Sequence, residues 1–248
     1  MKVSIITATY NSAATISDTL QSLNVQSYEN IEYIIVDGAS KDNTLEVIKQ
    51  QCSRVTTIIS EPDKGIYDAL NKGIEAATGD IVGYLHSDDL FAYPDAVKDI
   101  VATFTQYNTD AIYADLQYVS KDNTDTVVRL WQSGEYHRDK LTSGWMPPHP
   151  TFYMKRSCYE QFGLFDLSFK IAADYDSILR YLWQKKVSMS YLPKVTMKMR
   201  VGGASNRDLK NIILKTKEDI RALKNSHVPW VQAVVIKNVS KIPQFFKR

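Results

Sequence analysis

The apolar positions change period several times within the first hundred residues. Val3 to Thr9 (VSIITAT) is a short β-branched run of the kind that forms a strand. Asn11 or Ser12 then stands where a helix cap is expected, and Ile16, Leu20 and Leu23 recur at helical spacing. Ile31 to Val36 predicts a second strand, DGASKDNT a polar turn, and Leu45, Val47 and Ile48 the apolar face of a second helix. Val55 to Ser60 predicts a third strand, Ile66 to Ala77 a helix, and Ile81 to Leu85 a fourth strand. Strands alternating with helices at this spacing predict an α/β fold, a parallel sheet with helices on both faces. Ligands of such sheets bind beyond the carboxyl ends of the strands. Four polar loops therefore fall on one edge: Ala8 to Asn11, Asp37 to Ser40, Glu61 to Gly65 and His86 to Asp89.

The pattern is mixed after Pro94. A helix over 96–104 leads to Ala111-Ile112-Tyr113, and Leu116 to Val119 and Thr126 to Trp131 read as antiparallel strands around Lys121-Asp122-Asn123. Glu135 to Pro150, with Gly144 and three prolines, reads as an irregular loop over the site. Ile171 to Trp183 is helical in pattern, and Ser188 to Leu192 is a strand ahead of the Gly202-Gly203 turn. There is no internal repeat, and neither GxGxxG nor GxxxxGK[ST] occurs, which excludes the dinucleotide fingerprint and the P-loop.

Composition adds a compartment. Cys52 and Cys158 form neither a CxxC pair nor a zinc spacing, consistent with a reducing cytoplasmic setting. The apolar run at the N-terminus is too short for a signal-peptide core, and no stretch of about twenty apolar residues occurs. The chain is thus expected to be neither exported by a cleaved signal nor membrane-spanning.

The net charge of +2 hides an asymmetry. Residues 209–248 carry nine Lys or Arg against Glu218 and Asp219, a balance of +7 that leaves −5 for the rest. The end of this tail interleaves its cations with Trp230, Phe245, Phe246 and several Val and Ile. Such a segment fits docking on an anionic membrane surface, here the inner face of the cell membrane, and equally fits a helix that packs its apolar face on its own domain. No nucleic-acid motif accompanies it.

The fourth strand stops abruptly at Asp88-Asp89. Adjacent carboxylates repel and are costly to desolvate, so they mark either a wet turn or a cation site.

The ordered segments SIITATYN, YIIVDGASKDNT, SEPDKGIYDALNKG, TGD, HSDD, PHPTFY, FD…ADYDSILR and RVGGAS resemble the family 2 glycosyltransferases of GT-A fold, especially those of bacterial surface-polysaccharide assembly. The likeness covers roughly Lys2 to Ser205. It implies a GT-A domain over 1–205, with a Rossmann-like mixed sheet, a nucleotide-sugar half to about 115 and an acceptor half from about 116, followed by a basic helical extension over 206–248. It also implies inverting transfer of a sugar from a nucleotide-sugar donor, UDP-linked by this reading, to a saccharide or lipid-linked saccharide.

The leaving diphosphate concentrates negative charge, so a hard divalent cation, Mn²⁺ or Mg²⁺, is expected on oxygen ligands. By resemblance Asp89 is the direct metal ligand, with Asp88 contacting ribose, sugar or a metal-bound water. Thr7, Ala8, Tyr10 and Asp37 are expected to line the nucleotide base, and Asp63, Lys64 and Gly65 form the third nucleotide loop. Asp174 matches the aspartate of the family's Glu-Asp motif and is the expected base, although Ala173 stands where many members have glutamate. On a helix, Asp174 and Asp176 point about 200° apart, so one alone can face the cleft. His149 and Trp145 are expected near the acceptor or diphosphate, with the segment Val201 to Ser205 able to close over the donor. Two rivals are a nucleotidyltransferase, whose glycine-rich phosphate loop ATATYNSA lacks, and a binding module without chemistry, which has no reason to keep four carboxylates around one cleft.

Overall fold

In a computed structural model, which describes residues 1–202 and 209–239, the Val3–Thr9 run is strand β1 and is buried along its whole length. It is flanked in parallel by β2 (Ile31–Asp37) and β4 (Ile81–Tyr84), and β3 (Val55–Ser60) pairs with β2 at the edge. Helices cover both faces, so β1, β2 and β4 read as near-continuous apolar runs. On one face Ile6, Ile34, Val36 and Val82 pack with Leu70 and Ile74 of α3 (Ile66–Ala76). On the other, Val3, Ile5, Tyr33 and Ile35 pack with Ile16, Leu20 and Leu23 of α1 (Ile16–Asn24), Ile48 of α2 (Thr44–Gln51) and Ile100 of α4 (Ala96–Tyr107). The edge strand β3 alternates between half-buried and exposed positions, as a strand with one neighbour does.

Beyond β4 the sheet turns mixed. The strand order is β3-β2-β1-β4-β8-β6-β9-β5, where β5 is Leu90–Phe91, β6 Ala111–Val119, β8 Tyr153–Lys155 and β9 Met189–Arg200. A further strand, β7 (Val127–Trp131), pairs antiparallel with β6. β9 runs eight residues past the expected Ser188 to Leu192 strand. Its continuation is disguised by Pro193-Lys194, which the pairing with β6 skips as the register shifts from Leu192↔Ala114 to Val195↔Asp115; a proline is tolerated at such a bulge. Gly83 is needed where β4 meets β8, because a Cβ there would fall inside the ring of Tyr153.

The cap expected from Asn11 or Ser12 does not form. Thr15 precedes α1, and the carbonyl of Ser12 accepts the N–H groups of Thr15 and Ile16. Asn11 takes a left-handed conformation (φ 49°) and its side chain accepts the Lys41 N–H, tying the first loop to the second. The expected 171–183 helix is α6 (Ala173–Ile178) continuing as a π-helical stretch, Leu179–Gln184, after the short α5 (Arg156–Phe162). The 135–150 segment contains 3-10 turns at Arg138–Ser143 and His149–Thr151.

The basic extension supplies α7 (Leu209–Asn225) and α8 (Trp230–Val239). Ala222, Leu223, Val228 and Ala233 are buried in the core shared with α6, and α8 lies against the 138–143 turn. Lys241, Phe245, Phe246, Lys247 and Arg248 lie outside the described residues. Among the described residues, no helix is long and apolar enough to cross a membrane.

Candidate active site

The turns after β1, β2, β3 and β4 open on one edge of the sheet. Tyr10 is 57% exposed at the end of β1. Its ring and the Asp63 carboxylate flank Gly38, where a Cβ would overlap Asp63. Asp63 Oδ1 accepts the Gly65 N–H at 2.8 Å, which shapes the third loop. Gly65 has φ +117° with no protein atom within 4 Å of where a Cβ would stand, so backbone conformation is what demands glycine there. Lys64 is exposed on the same loop.

Three of the expected base-lining residues are buried. The Thr7 hydroxyl sits between Tyr33 Oη (2.8 Å) and the Leu85 carbonyl (2.5 Å) inside the sheet, and the Ala8 side chain is buried in the core. Asp37 is fully enclosed; its carboxylate accepts the Ser60 hydroxyl at 2.7 Å and the Ser40 N–H at 3.1 Å. The Asp63 carboxylate, beside Gly38, is half-buried.

The acidic pair splits. Asp88 is half-exposed, whereas Asp89 is 1% exposed because it leads into β5, whose pairing with β9 closes over it. The Asp89 carboxylate accepts the Arg200 N–H, and its Oδ1 is buried without a partner among the described residues. Burial, reinforced by the Asp88 charge, pushes its carboxyl well above the usual carboxylate range. Arg200, at the end of β9 and 6% exposed, grips this turn from behind: its guanidinium donates to the Asp88 carbonyl at 2.8 Å and pairs with Asp18 of α1.

Among the described residues, no group of three or more His, Cys, Asp or Glu forms a complete metal site. One accessible carboxylate, Asp88, suits a hard cation that takes its other ligands from phosphate oxygens and water.

Beside Asp88, His86 stacks on His149 (centroids 5.9 Å), and His149 stacks on Tyr84 (4.9 Å) and meets Phe165 edge-on. His86 Nδ1 and His149 Nε2 are buried without partners among the described residues. Burial lowers both imidazoles, His149 to about 3 with help from His86. At His86 the charges of Asp88 and Asp174 push the other way, and Asp174 is linked to this stack through Tyr67, which packs on Phe165. The strand-end turn and α6 therefore converge on one cleft.

Asp174 is half-buried. The Tyr67 hydroxyl lies 3.2 Å from Asp174 Oδ1 and 2.6 Å from the Ile171 carbonyl. Asp176 is buried on another side of the helix, in the field of Arg180, with its carboxyl raised by burial. Ala173 is completely buried. Trp145 is half-buried, edge-on to Tyr113 and tilted against Tyr136, within the loop that leads to His149. Gly202 is described, with φ +103°, whereas Gly203, Ala204 and Ser205 lie outside the described residues. Tyr67, Arg200 and Glu218, which reaches the α6 entrance from α7, were not singled out by pattern. The first two sit inside motifs quoted above, but Glu218 carries no local signal.

Residues 4–169 match the family model described as Glycosyl transferase family 2. An uncharacterized glycosyltransferase of Mycobacterium tuberculosis is 32% identical over 180 residues, 72% of this chain and 68% of that protein. Staphylococcus aureus TarS superposes with a TM-score of 0.71 at 20% identity, covering 91% of this chain; the chain spans 40% of TarS. TarS 1–349 has been solved in complex with UDP-GlcNAc. The mannosyltransferase PcManGT of Pyrobaculum calidifontis, solved with GDP-Man and Mn²⁺, superposes with a TM-score of 0.67 at 19% identity, over 95% of this chain and 68% of that chain.

His149, half-buried with its Nε2 enclosed, yields a pH prediction. Its folded value of about 3 lies below that of an unfolded histidine, about 6.5, so the unfolded chain binds the extra proton as pH falls between them. Its contribution to stability is therefore lost as pH drops through that window. ¹⁵N NMR is expected to show a neutral His149 ring at pH 5, and His149→Gln to flatten the acid limb of stability against pH.

Proposed function

The chain belongs to glycosyl transferase family 2, and on that premise we propose that it transfers a sugar from a UDP-linked donor to a saccharide hydroxyl, with inversion, in the assembly of a bacterial surface polysaccharide. The observation that carries this reading is the chain of contacts from Asp174 through Tyr67, Phe165 and His149 to His86, two residues before Asp88. An acidic group suited to a diphosphate-bound cation and a carboxylate suited to general base work share one cleft.

The nucleotide base enters between Tyr10 and Asp63, over Gly38, where Asp63 rather than the enclosed Asp37 offers the acceptor for a ring N–H. Lys64 offsets phosphate charge. Asp88 takes the metal-facing role because its carboxylate is accessible. Asp89 anchors the turn to β9, and its unpartnered Oδ1 stands beside it as a second oxygen for the cation. A bound Mn²⁺ or Mg²⁺ would supply charge compensation for the departing diphosphate.

The acceptor oxygen attacks the anomeric carbon from the face opposite the diphosphate, and Asp174 Oδ takes the hydroxyl proton. The bond from the anomeric carbon to the phosphate oxygen breaks, and its electron pair leaves with the nucleoside diphosphate. The neutral His149 meets acceptor or diphosphate by hydrogen bonding without adding charge, and Trp145 offers a ring to a sugar face. Asp174→Asn is expected to lower transfer by roughly 10²–10⁴-fold while UDP affinity changes less than about twofold. Kinetics paired with calorimetry check this, and near-wild-type transfer removes Asp174 from the mechanism.

We further assign the acceptor to a lipid-linked saccharide presented at an anionic membrane surface. On α8, Trp230, Val231, Val235 and Ile236 are exposed, and Lys210, Lys217, Arg221 and Lys224 are exposed on α7. Apolar side chains with nearby cations suit an anionic headgroup layer. Because α8 lies against the 138–143 turn, docking would bring the loop carrying Trp145 and His149 to the bilayer. Flotation with phosphatidylglycerol vesicles is expected to carry the protein up, with loss on Val231→Asp/Val235→Asp substitution. Equal recovery of both proteins contradicts the docking.

A further inference from the structure

We propose that Glu218, on a helix outside the residues matched by the family model, is a positioning residue for Asp174. The inference rests on the reading of Asp174 as the base. The Glu218 side chain is buried, and its two oxygens accept three successive backbone N–H groups: Lys170 at 2.9 Å, Ile171 at 2.8 Å and Ala172 at 2.9 Å. These residues lead directly into α6, whose second residue is Asp174.

A helix start leaves N–H groups without internal partners, and a side chain at the N-cap ordinarily accepts some of them. Here the N-cap is Ala172, which has no acceptor to offer. Glu218, 46 residues after Ala172 in the chain, instead takes the N–H of this N-cap residue and of the two residues before it, and so fixes the backbone that enters the helix. Burying a carboxylate is costly unless it is hydrogen-bonded, and three charge-assisted bonds meet that requirement.

Two further contacts fix the same segment. Ile171 is held from both sides, its N–H by Glu218 and its carbonyl by the Tyr67 hydroxyl, which also reaches Asp174 Oδ1. One turn on from Glu218, Arg221 stacks over Phe169 at 4.2 Å and donates to Ser168 Oγ at 2.5 Å. Residues 168–172 are thus clamped by α7 on one side and by Tyr67 of α3 on the other. Asp174 emerges from that clamp, so its reach toward an acceptor hydroxyl depends on the α7 carboxylate. Misplacement by about 1 Å is enough to slow a positioned reaction severely.

The test is steady-state transfer by the full-length protein with Glu218→Gln, beside wild type and Asp174→Asn. Glu218→Gln keeps the shape but loses the charge and places an NH₂ group among N–H donors. Turnover is expected to fall by roughly tenfold or more, while donor KM and UDP affinity stay within about twofold. Amide exchange at Ile171 and Ala172 is expected to quicken, a readout independent of activity. Glu218→Asp, which keeps the charge on a shorter stem, is expected to fall between Glu218→Gln and wild type; it carries the test where Glu218→Gln does not fold.

Wild-type turnover in Glu218→Gln, or a turnover loss matched by loss of UDP affinity, overturns the inference. If Asp174→Asn remains active, the premise fails instead. If Asp174→Asn is inactive while Glu218→Gln is fully active, the Glu218 inference fails alone.

Discussion

The parallel register at the centre of the sheet governs where chemistry can occur. Thr9 pairs with Asp37, Asp37 with Ser60, and Ile6 with Tyr84, so the chain leaves four strands along one edge. The register is held by side chains whose faces cannot be exchanged: a slip of one residue would send Ile5 and Ile6 to the opposite helical layers. With the strands locked, their turns have little freedom. Tyr10, Gly38, Asp63 and Asp88 meet along that edge although they are far apart in sequence.

The electrostatics of the edge follow from which groups the sheet encloses. Adjacent carboxylates would be poorly placed side by side in an apolar setting, and the fold separates them by turning Asp89 beneath β9 and leaving Asp88 toward solvent. Arg200 ties the turn to α1 through Asp18, so one cation steadies the backbone that presents Asp88 without covering its carboxylate. Beside Asp88 the two stacked imidazoles are held toward the neutral form by burial. The edge thus keeps the Asp88 carboxylate toward solvent beside uncharged rings.

The first half of the molecule was legible because local pattern and long-range pairing agree there. Strand runs of β-branched residues and helices with apolar stripes sit within two or three residues of their expected bounds. The two-residue β5 and three-residue β8 are too short to show a period, and they owe their pairing to β9, β4 and β6. The far part of β9 was hidden by Pro193, which the bulge absorbs. Side-chain direction was the other blind point. Asp37 and Asp63 both follow strands, yet only the hydrogen bonds to Ser40 and Ser60 turn the first inward. Glu218 lies in a helix of ordinary charged composition, and its role appears only when α7 is seen against the entrance to α6.

On the proposed reading, Asp88 presents a cation to a nucleoside diphosphate bound along this edge. Calorimetric titration of UDP, and separately of GDP, with and without Mn²⁺, into wild type and Asp88→Asn tests it most directly. UDP binding is expected to strengthen with Mn²⁺ in wild type and to lose that dependence in Asp88→Asn, with GDP weaker throughout. Binding indifferent to Mn²⁺, or a preference for GDP, would contradict the role given to Asp88 or the donor given to the enzyme.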